Sequence, residues 1–244
     1  MLASKNKWKK YKLLRNSRAL RSHIPKTKRW SKHNFRSMLK KYDAVIVKPI
    51  NGSGGKGVMR VRKLGGRYEI RYGDHKRSVS RLHSAYNFVK KKKKSSVIVQ
   101  RYIRLARIGK RPLDLRVMVQ RKSRKSGWKI TGKLAKVAGK GYIITNVRRS
   151  GGKVMSAASA VRKSDIRGTS ARVLREADRI SLLAASRLSR NYSFIHNVGM
   201  DIGVDRNGKV WIIEANFKPA LSLFRPFPKV YRRIKKYDKK WRSR

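Results

Sequence analysis

The sequence predicts an α+β protein made of antiparallel hairpins and a few helices. Short apolar runs with a period of two recur between residues 43 and 155 and again between 198 and 216, separated by glycine-containing turns. The stretch 169–190 instead repeats its apolar residues at the spacing of a helix. These patterns indicate sheets covered by helices, without an internal sequence repeat.

The hairpin predicted for residues 198–219 organises the chain. Its two apolar runs flank an Asn-Gly turn, and the period of two places Asp201 on one strand beside Glu214 and Asn216 on the other. Only 11 residues of 244 are acidic, and two of them lie here among apolar neighbours, where an unpaired carboxylate is costly. Two carboxylates and one amide suit Mg²⁺. A surface hairpin whose acids pair with some of the 68 Lys and Arg residues remains an alternative.

Composition limits the class of protein. The length allows one larger domain or two small lobes. The absence of Cys excludes a disulfide scaffold and a cysteine metal site, and the five His residues show no ligand-pair spacing. No apolar run approaches the roughly 20 residues that span a bilayer, and no signal-peptide segment follows the basic N-terminus. We expect a soluble protein synthesised in the cytoplasm.

The net charge of +57 predicts an anionic partner. Such a charge attracts polyanions at long range and makes their binding depend on salt. The expected partners are an anionic polymer, an acidic protein surface or, non-specifically, nucleic acid. Charge alone does not choose among them.

We expect three parts: residues 1–42, 43–225 and 226–244. The first part holds two basic amphipathic segments, the second of them following the N-cap candidate Ser31, and we expect them to pack on the body. A basic tail wrapped on nucleic acid is the alternative. The last part is predicted to be a basic helix with Tyr231, Ile234, Tyr237 and Trp241 along it.

A glycine loop follows the first predicted strand. The strand 43–47 ends at Lys48, the loop occupies 51–57, and a second strand begins at Val58. Glycines without a Cβ let backbone N–H groups approach phosphate oxygens, and Lys48 adds a positive charge. The strand after the loop distinguishes this pattern from a P-loop, which continues into a helix. A merely flexible hairpin loop would look similar.

The other predicted elements place further polar residues on sheets. Alternation puts Asp114 and Arg116 on one face of a strand at 113–119, and Lys136 near the end of another at 128–138. The remaining elements are a helix at 80–90, a strand at 96–100, an edge strand at 143–146 leading into a glycine turn at 150–152, and the long helix at 169–190.

In this order the elements resemble the ATP-grasp fold. The motifs VKPxxGSGGKGV, RPLDLRVMVQ, GWKITGKLAKVAGKGYIITNVRRSGG and VGMDIGVDRNGKVWIIEANFKP are more closely similar to the spore-coat-associated YheC/YheD-type family of endospore-forming bacteria. The resemblance covers about residues 25–220. It implies two α+β lobes that clamp ATP between antiparallel sheets.

The resemblance also implies roles for single residues. Lys48 would contact phosphates, the glycine loop would cover them, Gln100 to Ile103 would line the adenine edge, and Asp114 would bind the ribose. The implied nucleotide-binding residues are Lys48, Ser53, Gly54, Gly55, Gly57, Gln100, Tyr102, Ile103 and Asp114. The implied Mg²⁺ ligands are Asp201, Glu214 and Asn216, and the implied catalytic residues are Arg116, Lys136 and Asn146. Related ligases often carry Arg in place of Lys136, which cannot bind two oxygens as a fork.

The leading hypothesis is an ATP- and Mg²⁺-dependent carboxylate–amine ligase that forms an acyl phosphate, is associated with the endospore coat, and acts on or beside a polyanion or acidic protein. The alternatives are a non-catalytic spore protein that works through its basic surface on the same fold, and a nucleic-acid-compacting protein. Many ligases have an additional N-terminal α/β domain, which the first 42 residues cannot supply.

Overall fold

The computed structural model of the chain describes residues 5–52, 54–142, 145–239 and 241. The strands of the described residues form two antiparallel sheets, each covered by helices. The predicted α+β class is therefore confirmed. None of the described helices is long and apolar enough to cross a membrane.

The first lobe contains a sheet with the strand order β1-β6-β2-β3-β4-β5. Its strands are β1 (Thr27–Arg29), β2 (Ala44–Pro49), β3 (Met59–Leu64), β4 (Arg67–Tyr72), β5 (His75–Val79) and β6 (Val97–Arg101). Helices α2 (Lys32–Tyr42) and α3 (Leu82–Lys92) pack on one face. Ser31 caps α2 as predicted, since its side chain accepts a hydrogen bond from Asn34 N.

Alternation divides the two faces of the first sheet. Val45 and Val47 of β2 and Val99 of β6 are buried against the helices. The residues between them, including Lys48 and Gln100, lie on the opposite face. That face belongs to the candidate site.

The second lobe contains a sheet with the strand order β10-β9-β8-β11-β12, and a short strand, β7, pairs with β8. The strands are β7 (Arg107–Ile108), β8 (Arg111–Gln120), β9 (Lys129–Val137), β10 (Lys153–Met155), β11 (Asn197–Val204) and β12 (Val210–Asn216). The helices are α4 (Val147–Ser150), α5 (Ala157–Arg162), α6 (Ser170–Ser189) and α7 (Pro228–Lys239).

Helices cover the second sheet unequally. Helix α6 matches the long helix predicted from its apolar spacing, and its stripe, including Ala177 and Ile180, packs on one whole face. On the other face, α7 and a 3₁₀ turn at Leu221–Phe224 cover only the end around Met118 and Leu134. The rest of that face carries the charged residues of the site.

Helix α1 (Lys7–Arg15) lies along the outer edge of the second sheet. It packs against α6, and its Lys10 Nζ donates a hydrogen bond to the carbonyl of Ala215 on β12 at 2.7 Å. His23 Nδ1, in a 3₁₀ turn at Arg21–His23, lies 2.8 Å from the carbonyl of Val210 on the same strand. The N-terminal segment is thus in contact with the edge strand at two places.

The N-terminal segment differs in two ways from the expected pair of helices. It contributes β1 to the first sheet, and its helices pack on different lobes, α2 on the first and α1 on the second. Strand β1 is three residues long, too short to show a sequence period. Of the edge strand expected at 143–146, residues 143 and 144 lie outside the described residues, and 145 and 146 are irregular and lead into α4.

Candidate functional site

Three neighbouring strands bring two carboxylates and two cations together. In the register of the second sheet, Asp114 on β8 is the cross-strand partner of Lys136 on β9, and Arg116 on β8 is the partner of Asp201 on β11. All four residues are buried. We call these four residues the cleft cluster; its two negative and two positive groups balance each other.

Asp201 is the centre of the cleft cluster. Its Oδ1 accepts hydrogen bonds from Arg116 Nε at 3.0 Å and from Lys136 Nζ at 2.6 Å, and its Oδ2 accepts one from Asn216 Nδ2 at 3.0 Å. Burial alone would raise the pKa of Asp201, but the charges of Arg116 and Lys136 outweigh burial and lower that pKa to about 2. Asp201 is therefore ionised at neutral pH.

Asp114 has a different environment. Burial raises the pKa of its carboxyl to about 6, against the opposing charge of Lys136. Thr145 Oγ1 donates a hydrogen bond to Asp114 Oδ2. Lys136 Nζ lies 3.0 Å from Oδ1, but Oδ1 has no aligned hydrogen-bond donor among the described residues. One ammonium group thus serves both carboxylates, and Asp114 receives the weaker share.

A glycine on β11 makes room for this arrangement. A Cβ at Gly199 would lie 2.6 Å from Pro219 Cβ and 3.3 Å from Arg116 Cδ. A larger residue would push the arginine away, so glycine lets Arg116 cross β11 to reach Asp201.

The β11–β12 hairpin has the geometry predicted from the sequence. Asp201 and Glu214 are cross-strand partners, and Asn216 opposes Gly199 one step further along. The register shifts between Asp201 and Ile202, so a bulge follows the acidic pair directly. The three predicted Mg²⁺ ligands therefore lie together, and their role in metal binding stays a prediction.

The donor set fits Mg²⁺ in kind, because it offers two carboxylates and one amide oxygen. Its two acids are paired differently. Asp201 is held by Arg116 and Lys136, whereas Glu214 is 26% exposed and lies 3.4 Å from Lys7 Nζ. The described residues contain no group of three or more His, Cys, Asp or Glu side chains arranged for a metal. Protein carboxylates alone would therefore bind the ion weakly, as expected for a cation delivered with a nucleotide.

The opposite wall of the cleft comes from the first sheet. Lys48 Nζ donates a hydrogen bond to Gln100 Oε1 at 2.9 Å, and Gln100 Nε2 donates one to Thr27 Oγ1 at 2.8 Å. Burial lowers the pKa of Lys48 to about 8, although the charges of Glu214 and Asp201 oppose this shift. Those charges act on Lys48 because the two lobes face each other across the cleft.

The glycine loop has the backbone conformation that requires glycine. Gly54, Gly55 and Gly57 have φ angles of +68°, +73° and +72°, which other residues adopt only with strain. A Cβ at Gly57 would also lie 3.0 Å from Pro49 Cγ. Ser53, predicted to contact the nucleotide, lies outside the described residues.

The residues predicted for the adenine edge lie where the first sheet ends. Tyr102 N donates a hydrogen bond to Ala44 O at 3.1 Å, and the guanidinium of Arg60 lies 5.2 Å from the centre of the Tyr102 ring. Ile103 is buried next to it. Asn146 directly follows Thr145 and precedes α4, where its carbonyl accepts a hydrogen bond from Ser150 N. The roles of these residues stay predictions.

Sequence reasoning missed Lys7. This residue begins α1, and its Nζ donates a hydrogen bond to the carbonyl of Gly52 at 2.6 Å while also approaching Glu214. It joins the glycine loop of one lobe to a predicted metal ligand of the other. A lysine in a basic amphipathic helix gives no signal of this kind, because the contact depends on how the helix packs.

Two curated relatives from Bacillus subtilis (strain 168) are similar to this chain. "Endospore coat-associated protein YheD" is 27% identical over 227 residues, which are 90% of this chain and 49% of the relative. "Endospore coat-associated protein YheC" is 25% identical over 220 residues, 88% of this chain and 60% of the relative. This chain therefore spans about half to three fifths of the length of these relatives.

Solved structures show the same fold at low identity. The ATP-grasp ligase PsnB, complexed with minimal precursor, Mg and ADP, matches with a TM-score of 0.53 at 13% identity, covering 98% of this chain and 59% of that one. D-cycloserine synthetase DcsG matches with a TM-score of 0.58 at 10% identity, covering 97% of this chain and 70% of that one.

The match to a family model is more extensive than any single motif. Residues 3–239 match the family described as "YheC/D like ATP-grasp". That range includes α1, both sheets, the glycine loop and the whole cleft cluster. With two antiparallel sheets and a polar cleft between them, this chain belongs to the YheC/D-like ATP-grasp family.

Proposed function

We propose that this chain binds Mg²⁺-ATP in the cleft and joins a carboxylate to an amine through an acyl phosphate. The observation that carries the proposal is the cleft cluster: Arg116 and Lys136 are held in place by Asp201, beside Glu214 and Asn216. Lys48 faces them from the other lobe. Fixed cations beside available carboxylates suit the transfer of a charged phosphoryl group.

The proposed reaction needs no nucleophile from the protein. An oxygen of the substrate carboxylate attacks the γ-phosphorus, and the bond to the β-phosphate oxygen breaks to release ADP. The amine nitrogen then attacks the acyl carbon, loses a proton, and displaces inorganic phosphate. Bound Mg²⁺ supplies charge neutralisation between phosphate oxygens. Glu214, Asn216 and Asp201 are the residues that would hold it.

The chain's own residues have three tasks in this mechanism. Arg116 and Lys136 neutralise negative charge on the phosphoryl group and the substrate carboxylate. The carboxylate of Asp201 keeps both cations ionised and oriented; burial alone would lower the pKa of Lys136, but Asp114 and Asp201 raise it. Lys48 and the glycine loop hold the remaining phosphates.

The titles of the matching structures support a ligase. They name an ATP-grasp ligase and a synthetase, one of them with Mg and ADP bound. At 10–13% identity this likeness extends only to the fold, so the substrates are not transferred. The names of the curated relatives support association with the endospore coat after synthesis in the cytoplasm.

Nucleotide binding is the first test. Saturating Mg²⁺-ATP should raise the melting temperature, and at one hundred times the Kd the gain in free energy of unfolding is about 2.7 kcal/mol. ADP release should then be measured with amino acids, acidic peptides and anionic polymers as acceptors. Absence of any melting shift with Mg²⁺-ATP would contradict the proposal.

The net charge of +57 favours a second function, a spore protein that binds a polyanion through its basic surface. Lys90, Lys91 and Lys94, at the end of α3, are exposed examples of that surface. Changing all three to Gln should flatten the dependence of polyanion affinity on salt by about 0.9 log units per lost phosphate contact on duplex DNA. Binding of Mg²⁺-ATP should not change, because salt screens surface charges beyond about 10 Å. Polyanion binding without ADP release under every acceptor would favour this second function alone.

A further inference from the structure

Lys7 is attached to both sides of the candidate cleft. Its backbone N–H donates a hydrogen bond to Ile50 O at 2.9 Å, and its Nζ donates one to Gly52 O at 2.6 Å. The same Nζ lies 3.4 Å from Glu214 Oε1, and the Lys7 side chain is only 12% exposed. A surface lysine gains little from an ion pair, whereas this one is fixed by two lobes at once.

The helix that carries Lys7 is anchored independently of the glycine loop. Lys10 Nζ donates to Ala215 O and lies 4.1 Å from the centre of the Phe217 ring, and Leu14 is buried in the core of the second lobe. Asn6 caps the helix by accepting a hydrogen bond from Lys9 N. These contacts hold the start of α1 in place, so the Lys7 ammonium stays near Glu214 even if the loop moves.

The surroundings of Lys7 are positively charged. A small cavity of about 40 Å³ is lined by the ammonium-bearing residues Lys7, Lys10 and Lys48 and by one carboxylate-bearing residue, Glu214. Sites for small molecules usually measure about 300–1,000 Å³, so a nucleotide does not fit there while Lys7 remains paired with Glu214. The excess of cations indicates an anionic ligand.

We propose that Lys7 is a phosphate-binding residue of the nucleotide site, contributed by the N-terminal helix; this inference rests on the proposed function. Without ligand, Lys7 neutralises Glu214. When Glu214 binds a divalent cation it no longer needs the ammonium, which is then available for the phosphate oxygens that the glycine loop covers. Lys10 has a carbonyl and a ring as partners and takes no part in this exchange.

The test compares Lys7→Met with Lys12→Met. Lys12 is an exposed lysine on the same helix, so its variant has the same change in charge and helix composition. Calorimetry should measure the Kd of Mg²⁺-ATP, Mg²⁺-ADP and AMP for each protein. We expect Lys7→Met to weaken Mg²⁺-ATP and Mg²⁺-ADP about tenfold or more, the contribution of one charge-assisted hydrogen bond. AMP binding should change by less than about twofold by the same scale.

A second variant, Lys7→Arg, keeps the charge and should recover most of the affinity for Mg²⁺-ATP. Equal losses for AMP and Mg²⁺-ATP in Lys7→Met would overturn the proposal, because they indicate a structural role. Unchanged binding of all three nucleotides would overturn it as well. If the wild-type protein itself binds no Mg²⁺-ATP, the proposed function fails; if it binds and Lys7→Met binds equally well, only the role of Lys7 fails.

Discussion

Two buried ion clusters of this protein use carboxylates in opposite ways. The cleft cluster in the second lobe pairs two acids with two cations. In the first lobe, Glu69 on β4 is 4% exposed and stands alone against four cations; we call this group the hairpin cluster. Its cations are Arg60, Arg62, Arg71 and Lys76, at 2.7, 3.5, 3.4 and 3.7 Å from the Glu69 carboxylate.

The difference indicates which cluster serves the fold and which serves chemistry. Glu69 is the only acid in the hairpin cluster, and the Nε groups of Arg60, Arg62 and Arg71 are buried without an acceptor. Losing this carboxylate would leave the sheet with unpaired buried cations. In the cleft cluster each cation has an acid within reach, so the balance leaves Glu214, outside the cluster, free to exchange one cation for another.

The largest effect on stability is expected for Glu69→Gln. Breaking a buried ion pair by removing one partner costs about 3 kcal/mol or more, since the other charges stay buried. Asp74→Asn is the matched control on the same hairpin, because the Asp74 side chain is 70% exposed. The control should change the free energy of unfolding by less than about 0.5 kcal/mol. Denaturant unfolding measures both, and equal stabilities of the two variants would remove the distinction between the clusters.

A smaller energy but a clear functional effect is expected for Glu214→Gln. The change removes one negative charge from the predicted Mg²⁺ site and nearly preserves the shape of the side chain. ADP release should fall by about a hundredfold, which corresponds to about 2.7 kcal/mol of transition-state stabilisation. The melting temperature without nucleotide should stay near that of the wild type, because Glu214 is partly exposed and its ion pair with Lys7 is long. A large loss of stability with normal turnover would assign Glu214 to the fold instead.

The smallest effect is the pH dependence of the hairpin cluster. Burial alone would raise the pKa of Glu69, but the hydrogen bond from Arg60 and the charges of Arg71 and Arg62 lower it below the ordinary value of 4.5. A depressed carboxyl pKa stabilises the folded state above the unfolded-state pKa, and this stabilisation is lost as the pH falls through the folded-state value. The difference in unfolding free energy between wild type and Glu69→Gln should therefore be constant from pH 7 to about 5 and decrease below about 4.5. A constant difference down to pH 3 would contradict the ion-pair explanation.

The sequence predicted what repeats along one strand or one helix. The period of two was sufficient to bring Asp201, Glu214 and Asn216 together, and the apolar stripe was sufficient for α6. The pairing of Asp114 with Lys136 was not predictable, because alternation gives the face of a residue and not the register between strands.

The missed features depend on contacts between distant parts of the chain. Lys7 meets Glu214 across 207 positions, and nothing near either residue encodes that meeting. The hairpin cluster escaped notice because its residues alternate on β3 and β4 among many other cations. In a chain with 68 basic residues, only burial distinguishes a cation that matters to the fold from one that is solvated.

The N-terminal helix also has a consequence for how copies of this protein meet. Strand β12 ends its sheet, and an open strand edge is a template on which another chain can add a strand. Here the outward carbonyls of Ala215 and Val210 are already bonded to or contacted by Lys10 and His23. A protein that works at high concentration in a crowded layer is thereby protected, at this edge, from strand-by-strand self-association.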